Sequence, residues 1–533
     1  MVFTVWENHA VRITKLERWI IVKKGNLTKR LVSLAMVAAM FTSVLAGCSQ
    51  TTEGESKDPA SSGSSETSAP EQEREEVELV WYVAGNGPQA DTEAVLAEAN
   101  KYLKEKLNCT LKIIETDFGS YDDKMQMVIG SQETFDLCYT ANWSNNFYSN
   151  VSRNAFLELD DLVDQYAPDL KEQVPESGWE ACKVSGTLYA VPNMQIWAMT
   201  NGVIIDKEYV DKYQLDVSKV TGLKDLEEFC AAFKADYPDK FPMAADSQGL
   251  LAFDTFEMGY DELAGRHIPG VIMLDDEEMK VVNQFELPQV QEHYQMMYEW
   301  NQKGYIRQDS ATLSDYYADL KNGQYAMKLT GTVKPGLETI EKANFGGKDV
   351  VIVPLSDSYL TTSGITATMT AISRTSENPE RAMEFLNLFN TDEYLYNLIT
   401  QGIEGKHYEK LEGKYIKPIE NSGYYPNADW MYGNQFLAFL KEGQGENDWT
   451  ETQEMNESAT PSPALGFAFD STPVQNELAS VNAVVSEYQV SLDSGSVNPE
   501  TALPEFLAKL KQAGSDAIIA EVQDQLDDWK ASK

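Results

Sequence analysis

Strand patterns and helix patterns alternate at the start of the folded region, and this alternation limits the chain to few folds. Val77 to Val83 is an apolar run typical of a buried strand, and Asp91 to Leu107 carries apolar residues at helical spacing. A strand at Leu111 to Glu115, a helix at Tyr121 to Ile129 and a strand at Asp136 to Thr140 follow. This β-α-β-α-β order predicts an α/β fold with a parallel sheet, because each return to a parallel strand needs a crossover.

The loops that follow these three strands form the expected binding edge. Ligands of open α/β sheets bind beyond the carboxyl ends of the strands. Here those loops are Ala84 to Pro88, Thr116 to Ser120 and Ala141 to Asn146. We therefore expect binding residues in these loops.

The chain has 533 residues, more than one hydrophobic core usually supports, so two lobes are expected. We assign residues 77–190, together with about 360–400, to lobe 1 and residues 191–359 to lobe 2. The chain then enters lobe 1 twice, and the crossing segments are expected to act as hinges. Residues 401–533 form a C-terminal extension that we expect to pack across the lobes.

The first 47 residues are predicted to be a signal peptide, in which residues 1–21 stand ahead of the basic region and can reflect a start codon placed too early. The uncharged stretch from Leu31 to Leu45 is shorter than the ~20 apolar residues of a membrane span. Its last residue opens the sequence Leu45-Ala46-Gly47-Cys48, which resembles the lipobox of bacterial lipoproteins, and the sulfur of Cys48 can take a diacylglycerol. We expect a lipid anchor at Cys48 on the extracytoplasmic face of the cell membrane, and a flexible linker over residues 48–76.

Charge and cysteine content limit the function classes further. A formal net charge of −41 repels nucleic acid, so no nucleic-acid partner is expected. The cysteines after Cys48 lack the spacing of a metal site and are interpreted first as buried thiols. A disulfide between Cys109 and Cys138 remains open, on the condition that their two strands are neighbours.

Motifs for cofactors and metals are weak. Gly85 to Ala90 matches the G-x-G-x-x-A loop of dinucleotide sites, but Pro88 removes a backbone donor, so a glycine-rich turn is the preferred interpretation. The four histidines show no ligand spacing, and acidic runs such as Asp160-Asp161 and Asp275 to Glu278 are typical of solvated faces, although they can hold calcium. We predict no cofactor, no metal site and no catalytic residues.

Aromatic residues indicate a sugar site. Trp143 and Asn142 follow a strand of the parallel sheet, where an indole can stack on the C–H face of a pyranose while an amide bonds its hydroxyls. Trp197 can stack from the second lobe, and Trp430 is a third candidate. Core packing is the alternative for each of these tryptophans.

Three stretches carry a resemblance to a known family. They are Gly402 to Tyr408, Gly466 to Asp470 with the following Pro473-Val474 and Glu477, and Asn378 to Asn387. From Cys48 onward the chain resembles the extracellular solute-binding lipoproteins of bacterial ABC importers, in particular a carbohydrate-type branch with a distinctive C-terminal extension. The resemblance implies a type II periplasmic-binding-protein-like fold of two lobes that close on a ligand.

The resemblance also implies a function without catalysis. The chain is expected to capture a carbohydrate, an oligosaccharide in our interpretation, and to deliver it to ABC transporter permease subunits as a monomer. Closure requires contacts from both lobes, which favours Asn142 and Trp143 on one side and Trp197 on the other. Glu404 is added because Gly402 and Gly405 bracket it in a tight turn that can project a carboxylate, although a solvated loop acid is equally compatible. The alternatives are a peptide or other polar solute on the same fold, and a surface glycoside hydrolase or lyase.

Overall fold

The fold is described from a computed structural model, which covers residues 74–247, 257–313 and 315–533. The expected signal peptide, the anchor at Cys48 and almost all of the linker lie outside the described residues. Within these ranges no helix has both the length and the apolar character needed to cross a bilayer.

The strands come first. They are β1 (Val77–Gly85), β2 (Cys109–Asp117), β3 (Leu137–Thr140), β4 (Lys183–Val184), β5 (Thr187–Leu188), β6 (Val191–Pro192), β7 (Ala198–Met199), β8 (Gly202–Asp206), β9 (Phe241–Met243), β10 (Tyr260–Glu262), β11 (Val271–Met273), β12 (Tyr325–Thr330), β13 (Val350–Pro354), β14 (Tyr359–Leu360), β15 (Met369–Ile372), β16 (Tyr408–Lys410), β17 (Tyr415–Pro418), β18 (Leu440–Lys441) and β19 (Thr460–Pro461).

The α-helices alternate with these strands in lobe 1 and dominate the C-terminal part. They are α1 (Thr92–Leu107), α2 (Phe118–Gly130), α3 (Phe147–Ser152), α4 (Asp160–Tyr166), α5 (Pro168–Gln173), α6 (Glu176–Ala181), α7 (Lys207–Tyr213), α8 (Glu227–Asp236), α9 (Pro288–Gln302), α10 (Tyr317–Lys321), α11 (Leu337–Asn344), α12 (Thr362–Ile365), α13 (Pro379–Thr391), α14 (Glu393–Gln401), α15 (Asp448–Ser458), α16 (Gln475–Asp493), α17 (Pro499–Ala513) and α18 (Ser515–Ser532).

Lobe 1 is built on a five-stranded sheet in the order β2-β1-β3-β15-β6. β1 runs parallel to β2 and β3, and β15 pairs antiparallel with β3 and β6. The expected α/β fold with a parallel sheet is therefore confirmed. Trp81 of β1 anchors the core, with its indole in edge contact with the rings of Phe385, Phe389 and Tyr432 at 5.5–5.8 Å.

The sheet order also decides between the two interpretations of the cysteines. Cys109 lies in β2 and Cys138 in β3, and β1 stands between these strands, so the condition for a disulfide is not met. Both residues are buried free thiols, and burial raises the pKa of Cys138 well above its usual range.

Lobe 2 contains a four-stranded sheet in the order β13-β8-β12-β9. β8 and β12 lie inside this sheet and are buried almost throughout, as expected for strands covered on both faces. A short 3-10 turn, Leu223–Leu226, precedes α8. The backbone N–H and the hydroxyl of Thr221 donate to the carboxylate of Asp225 within this turn.

Three short strands connect the lobes and pair with one another in the order β19-β14-β7. We call them the hinge sheet. The side chain of Asn456 extends it, because its amide oxygen accepts from the backbone N–H groups of Trp197 and Ala198 at 2.8 and 2.9 Å. The chain thus crosses between the lobes three times, at 198–199, at 359–360 and at 460–461.

The third crossing divides the C-terminal extension between the lobes. Residues 424–459 contribute to the hydrophobic core of lobe 1. Beyond Ser462, the side chains of α16, α17 and α18 share a core with residues 258–294, in which the rings of Phe285 and Phe506 lie 4.8 Å apart. The extension therefore belongs to both lobes, one part to each.

Candidate functional site

A cleft of about 620 Å³ lies between the lobes. Lobe 1, both sides of the hinge sheet, lobe 2 and the C-terminal extension all contribute to its walls. The lining residues are Asn142, Trp143, Asn146, Tyr148, Met199, Asn201, Asp261, Glu262, Leu263, Ala264, Gly265, Arg266, Gly331, Thr362, Ser363, Phe467, Phe469 and Ser471. A molecule bound here contacts both lobes and the segments that join them.

Trp143 presents its indole to this cleft. The side chain is 52% exposed, although it follows the fully buried strand β3. Its ring N–H donates to the carbonyl oxygen of Ala367 at 2.9 Å, which fixes the orientation of the indole. A large aromatic face is thereby held toward the cleft instead of the core.

Asn142 holds the loop that carries Trp143. Its side-chain amide donates to the carbonyl oxygen of Ser363 at 2.8 Å and to the hydroxyl of Thr366 at 3.2 Å. Its backbone N–H donates to the carbonyl oxygen of Thr366 at 3.0 Å. The residue thus ties the loop after β3 to α12, which follows the second crossing.

The opposite wall of the cleft consists of residues 261–266, which we call the acidic wall. Asp261 is buried, and its carboxylate accepts from the hydroxyl of Ser462 at 2.6 Å. Glu262 accepts from the backbone N–H of His267 at 2.8 Å, and Arg266 adds an exposed guanidinium. This wall offers charged and hydrogen-bonding groups opposite an apolar indole.

Burial shifts the protonation of this wall toward neutral forms. Removal of the carboxyl groups from water raises the pKa of Asp261 to about 6 and that of Glu262 to about 7. Burial, together with the charge of Arg266, lowers the pKa of His267 to about 4, so that the imidazole is neutral near pH 7. Near neutral pH Glu262 therefore exists in both forms, and its carboxyl group can donate or accept a hydrogen bond.

The acidic wall was missed in the sequence because its residues have no motif. In the longer acidic run from Asp275 to Glu278, Asp276 serves as a turn acid, whose carboxylate accepts from the backbone N–H groups of Glu278 and Lys280. The carboxylate of Asp261 accepts its hydrogen bond from Ser462, 201 positions away in the chain. No local signal in the sequence could have identified the wall.

Trp197 lies in the core of lobe 1 and not in the cleft. The side chain is 3% exposed, and its ring N–H donates to the carbonyl oxygen of Asn193 at 2.9 Å. The crossing to lobe 2 begins only at Ala198, so the segment that carries Trp197 still packs with the first lobe. We expected Trp197 to stack on the ligand from lobe 2, but its side chain packs in the core of lobe 1.

Glu404 occupies an exposed turn of lobe 1 that follows α14. The flanking Gly402 and Gly405 have φ values of 88° and 75°, the left-handed region that a tight turn requires. The turn geometry is as expected, but Glu404 is not among the described residues that line the cleft.

Trp430 is half-buried and lies near the cleft without lining it. Its ring is near-parallel to that of Phe118, with a centroid distance of 6.1 Å and an interplanar angle of 7°. Phe118 in turn lies 6.5 Å from the ring of Trp143. Phe118 therefore lies between Trp143 and Trp430, two of the predicted binding residues.

The glycine-rich loop after β1 is occupied by the protein itself. The carboxylate of Glu115 accepts from the backbone N–H of Asn86 at 3.0 Å, at the position where a pyrophosphate would need backbone donors. A negative charge at that position opposes a phosphate ligand. In the described parts of the chain, no group of three or more His, Cys, Asp or Glu side chains gathers as a metal site would.

Comparisons with known proteins agree with this architecture. Residues 86–395 match the family described as bacterial extracellular solute-binding protein, and residues 463–531 match a domain family of unknown function. A carbohydrate ABC transporter substrate-binding protein of Streptococcus pneumoniae serotype 4 (strain ATCC BAA-334 / TIGR4) is 29% identical over 520 residues, which cover 95% of this chain and 99% of that protein.

Solved structures of a solute-binding protein are also similar to this chain. The crystal structure of the N-glycan transport solute-binding protein from Streptococcus pneumoniae is 27% identical, with a TM-score of 0.77 over 86% of this chain and 100% of that chain. Its complex with Man1GlcNAc has 27% identity and a TM-score of 0.68, covering 85% and 99% of the two chains. Its complex with Man5GlcNAc has 28% identity and a TM-score of 0.67, covering 86% and 99%.

Proposed function

This chain belongs to the family of bacterial extracellular solute-binding proteins, and we propose that it is the substrate-binding component of an ABC importer that captures an oligosaccharide. The observation that carries this proposal is the pairing across the cleft of the exposed indole of Trp143 with the acidic wall. A pyranose needs both surfaces, because it has an apolar C–H face and a ring of hydroxyl groups.

The two lobes have different roles in this proposal. Trp143, held in place by Asn142, supplies the stacking surface of lobe 1. Asp261, Glu262 and Arg266 supply hydrogen bonds from lobe 2. Because ligand contacts from both lobes favour the closed state, binding and closure are coupled. No sugar contact is assigned to Trp197, whose indole is enclosed, or to Glu404.

The chemistry of the cleft favours binding without cleavage. Glycoside hydrolysis needs two carboxyl groups that flank the scissile bond. Asp261 and Glu262 are consecutive residues of one strand and line the same wall of the cleft, so they do not stand on two sides of a bound sugar. The relatives named above support the same direction, since one is described as a carbohydrate ABC transporter protein and the other as an N-glycan transport protein.

A thermal-unfolding screen tests the proposal. We expect Man1GlcNAc or Man5GlcNAc to raise the unfolding midpoint of the full-length protein, held in a detergent without a sugar headgroup. A ligand at 100 times its Kd stabilises the folded state by about 2.7 kcal/mol. A rise with peptides alone would favour the peptide-binding alternative. Release of smaller products from a labelled glycan would show that the protein is a hydrolase or lyase instead of a binding protein.

We also propose that the protein is a monomer anchored through a lipid on Cys48 and that it delivers its ligand to permease subunits outside the cytoplasm. The basic residues, the uncharged stretch and Cys48 in the first 48 residues support this anchor. A Cys48→Ala variant is expected to leave the membrane fraction after cell lysis. If it sediments with membranes as the unaltered protein does, Cys48 is not the anchor.

A further inference from the structure

Three aromatic rings form a row along the binding edge of lobe 1. Trp143 follows β3, Phe118 follows β2, and Trp430 comes from the C-terminal extension. The ring of Phe118 lies 6.5 Å from that of Trp143 at an interplanar angle of 26°, and 6.1 Å from that of Trp430 at 7°. Of the three, Trp143 lines the cleft, so the row leads away from the cleft.

Two rings of this row are exposed, and that of Trp430 is half-buried. Phe118 is 39% exposed and Trp143 is 52% exposed. Near-parallel rings at these centroid distances are laterally offset, which leaves part of each face uncovered. Core packing does not explain Phe118, because the buried aromatic contacts of this region are made by Tyr121 and Tyr139, both at most 1% exposed.

Polar groups flank the row. The carboxylate of Asp117 accepts from the hydroxyl of Ser120 at 3.1 Å, beside Phe118. On the side of Trp430, the ammonium of Lys441 lies 3.6 Å from the carboxylate of Asp429. Apolar faces with hydrogen-bonding groups beside them are the surface that a chain of sugars needs.

A second cavity lies beyond the far end of the row. It has a volume of about 710 Å³ and is lined in part by Gln89, Tyr425 and Lys441. Lys441 connects it to the row, because its ammonium reaches both the side chain of Asn427 at 3.1 Å and Asp429, the chain neighbour of Trp430. The row thus leads from one concave site toward another.

We propose that Phe118 and Trp430 form an extension subsite, outside the cleft, for the further sugar units of a chain whose first unit stacks on Trp143. The inference rests on the proposed function and specifies it. The ligand class is an oligosaccharide that is longer than the cleft, and its length is recognised on lobe 1. A single sugar or a short glycan uses the cleft alone.

Glycans of two lengths test the subsite. The affinities of Man1GlcNAc and Man5GlcNAc are measured by titration calorimetry on the full-length protein and on Phe118→Ala and Trp430→Ala variants. Stacking contributes about 1–3 kcal/mol per ring by analogy with bases on aromatic side chains, so Man5GlcNAc is expected to bind about tenfold more weakly to each variant. Man1GlcNAc is expected to change by less than about twofold.

Two further variants keep the outcome decisive. Tyr394→Ala removes an exposed aromatic side chain of lobe 1 that lies outside the row, and it is expected to change neither affinity. If Trp430→Ala does not fold, Trp430→Phe, which keeps an aromatic ring, replaces it in the experiment. Phe118→Ala is expected to fold, because it alters only a partly exposed side chain.

The possible results separate the two proposals. Equal weakening of both glycans, or no weakening of Man5GlcNAc, overturns the extension subsite and leaves the proposed function in place. If neither glycan binds to the unaltered protein, the N-glycan ligands are excluded and the inference fails with them.

Discussion

Replacement of Trp143 by Ala is expected to weaken binding of the sugar ligand by about 1–3 kcal/mol, which is roughly a 5- to 150-fold increase in Kd. The indole is the large exposed apolar face of the cleft, and Ala leaves the C–H face of a sugar without a partner. The unfolding midpoint without ligand should change little, because about half of the side chain is already in contact with water. Titration calorimetry with Man1GlcNAc and Man5GlcNAc measures the effect.

Two matched variants separate stacking from loop geometry. Trp143→Phe keeps an aromatic face but removes the N–H that donates to Ala367, so an intermediate loss of affinity is expected. Tyr394→Ala, outside the cleft, should leave Kd unchanged. An unchanged Kd in Trp143→Ala would falsify the stacking role, and recognition of the ligand would then depend mainly on the acidic wall.

Replacement of Glu262 by Gln is expected to change how stability depends on pH. Burial raises the pKa of Glu262 in the folded protein to about 7, above its ordinary value of 4.5. The folded state therefore holds a proton that the unfolded state releases, and the stabilisation is complete below about pH 4.5 and is lost as pH rises through about 7. Gln is neutral at every pH, so the variant does not lose this stabilisation as the pH rises.

The size of the effect follows from the pKa difference. The free energy of unfolding of the variant, minus that of the unaltered protein, should increase by on the order of 2–3 kcal/mol between pH 4.5 and 8. Asp261, whose pKa is about 6, contributes in the same direction to both proteins, so most of its contribution cancels from the difference. Denaturant unfolding at a series of pH values measures it.

An exposed carboxyl group provides the control for this experiment. Glu404→Gln alters an exposed carboxyl group in a turn of lobe 1. If the difference for Glu262→Gln stays constant across the pH range, folding does not raise the pKa of Glu262. The proposed hydrogen-bond donor in the acidic wall would then be lost.

The sheet of lobe 1 was predictable from local pattern. Apolar runs indicated β1, β2 and β3, because strands covered on both faces are apolar over most of their length. Helical spacing indicated α1, whose buried residues Val95, Ala99 and Leu103 recur every four positions. Pro288 and Pro379 stand in the first turns of α9 and α13, the helix position that proline favours. Asn142 and Trp143 could be selected because they follow a strand whose direction was already known.

The remaining features depend on contacts between distant segments. Trp197 precedes the first crossing by one residue, and no local pattern distinguishes a tryptophan just before a crossing from one just after it. The acidic wall needs Ser462 and Phe467 to complete its surroundings, and the aromatic row needs Trp430 to lie beside Phe118. Such contacts are set by tertiary packing and leave no periodic signal.

The hinge sheet restricts the ways in which the lobes can move. A ribbon of three hydrogen-bonded strands can bend across the strands and keep the bonds between β7, β14 and β19, whereas sliding of one strand past another would break them. The hinge sheet therefore favours a rotation of the lobes about this bend. A compound that stacks on lobe 1 but blocks this rotation would bind the protein without producing the closed form. Compounds of this kind are expected to inhibit uptake.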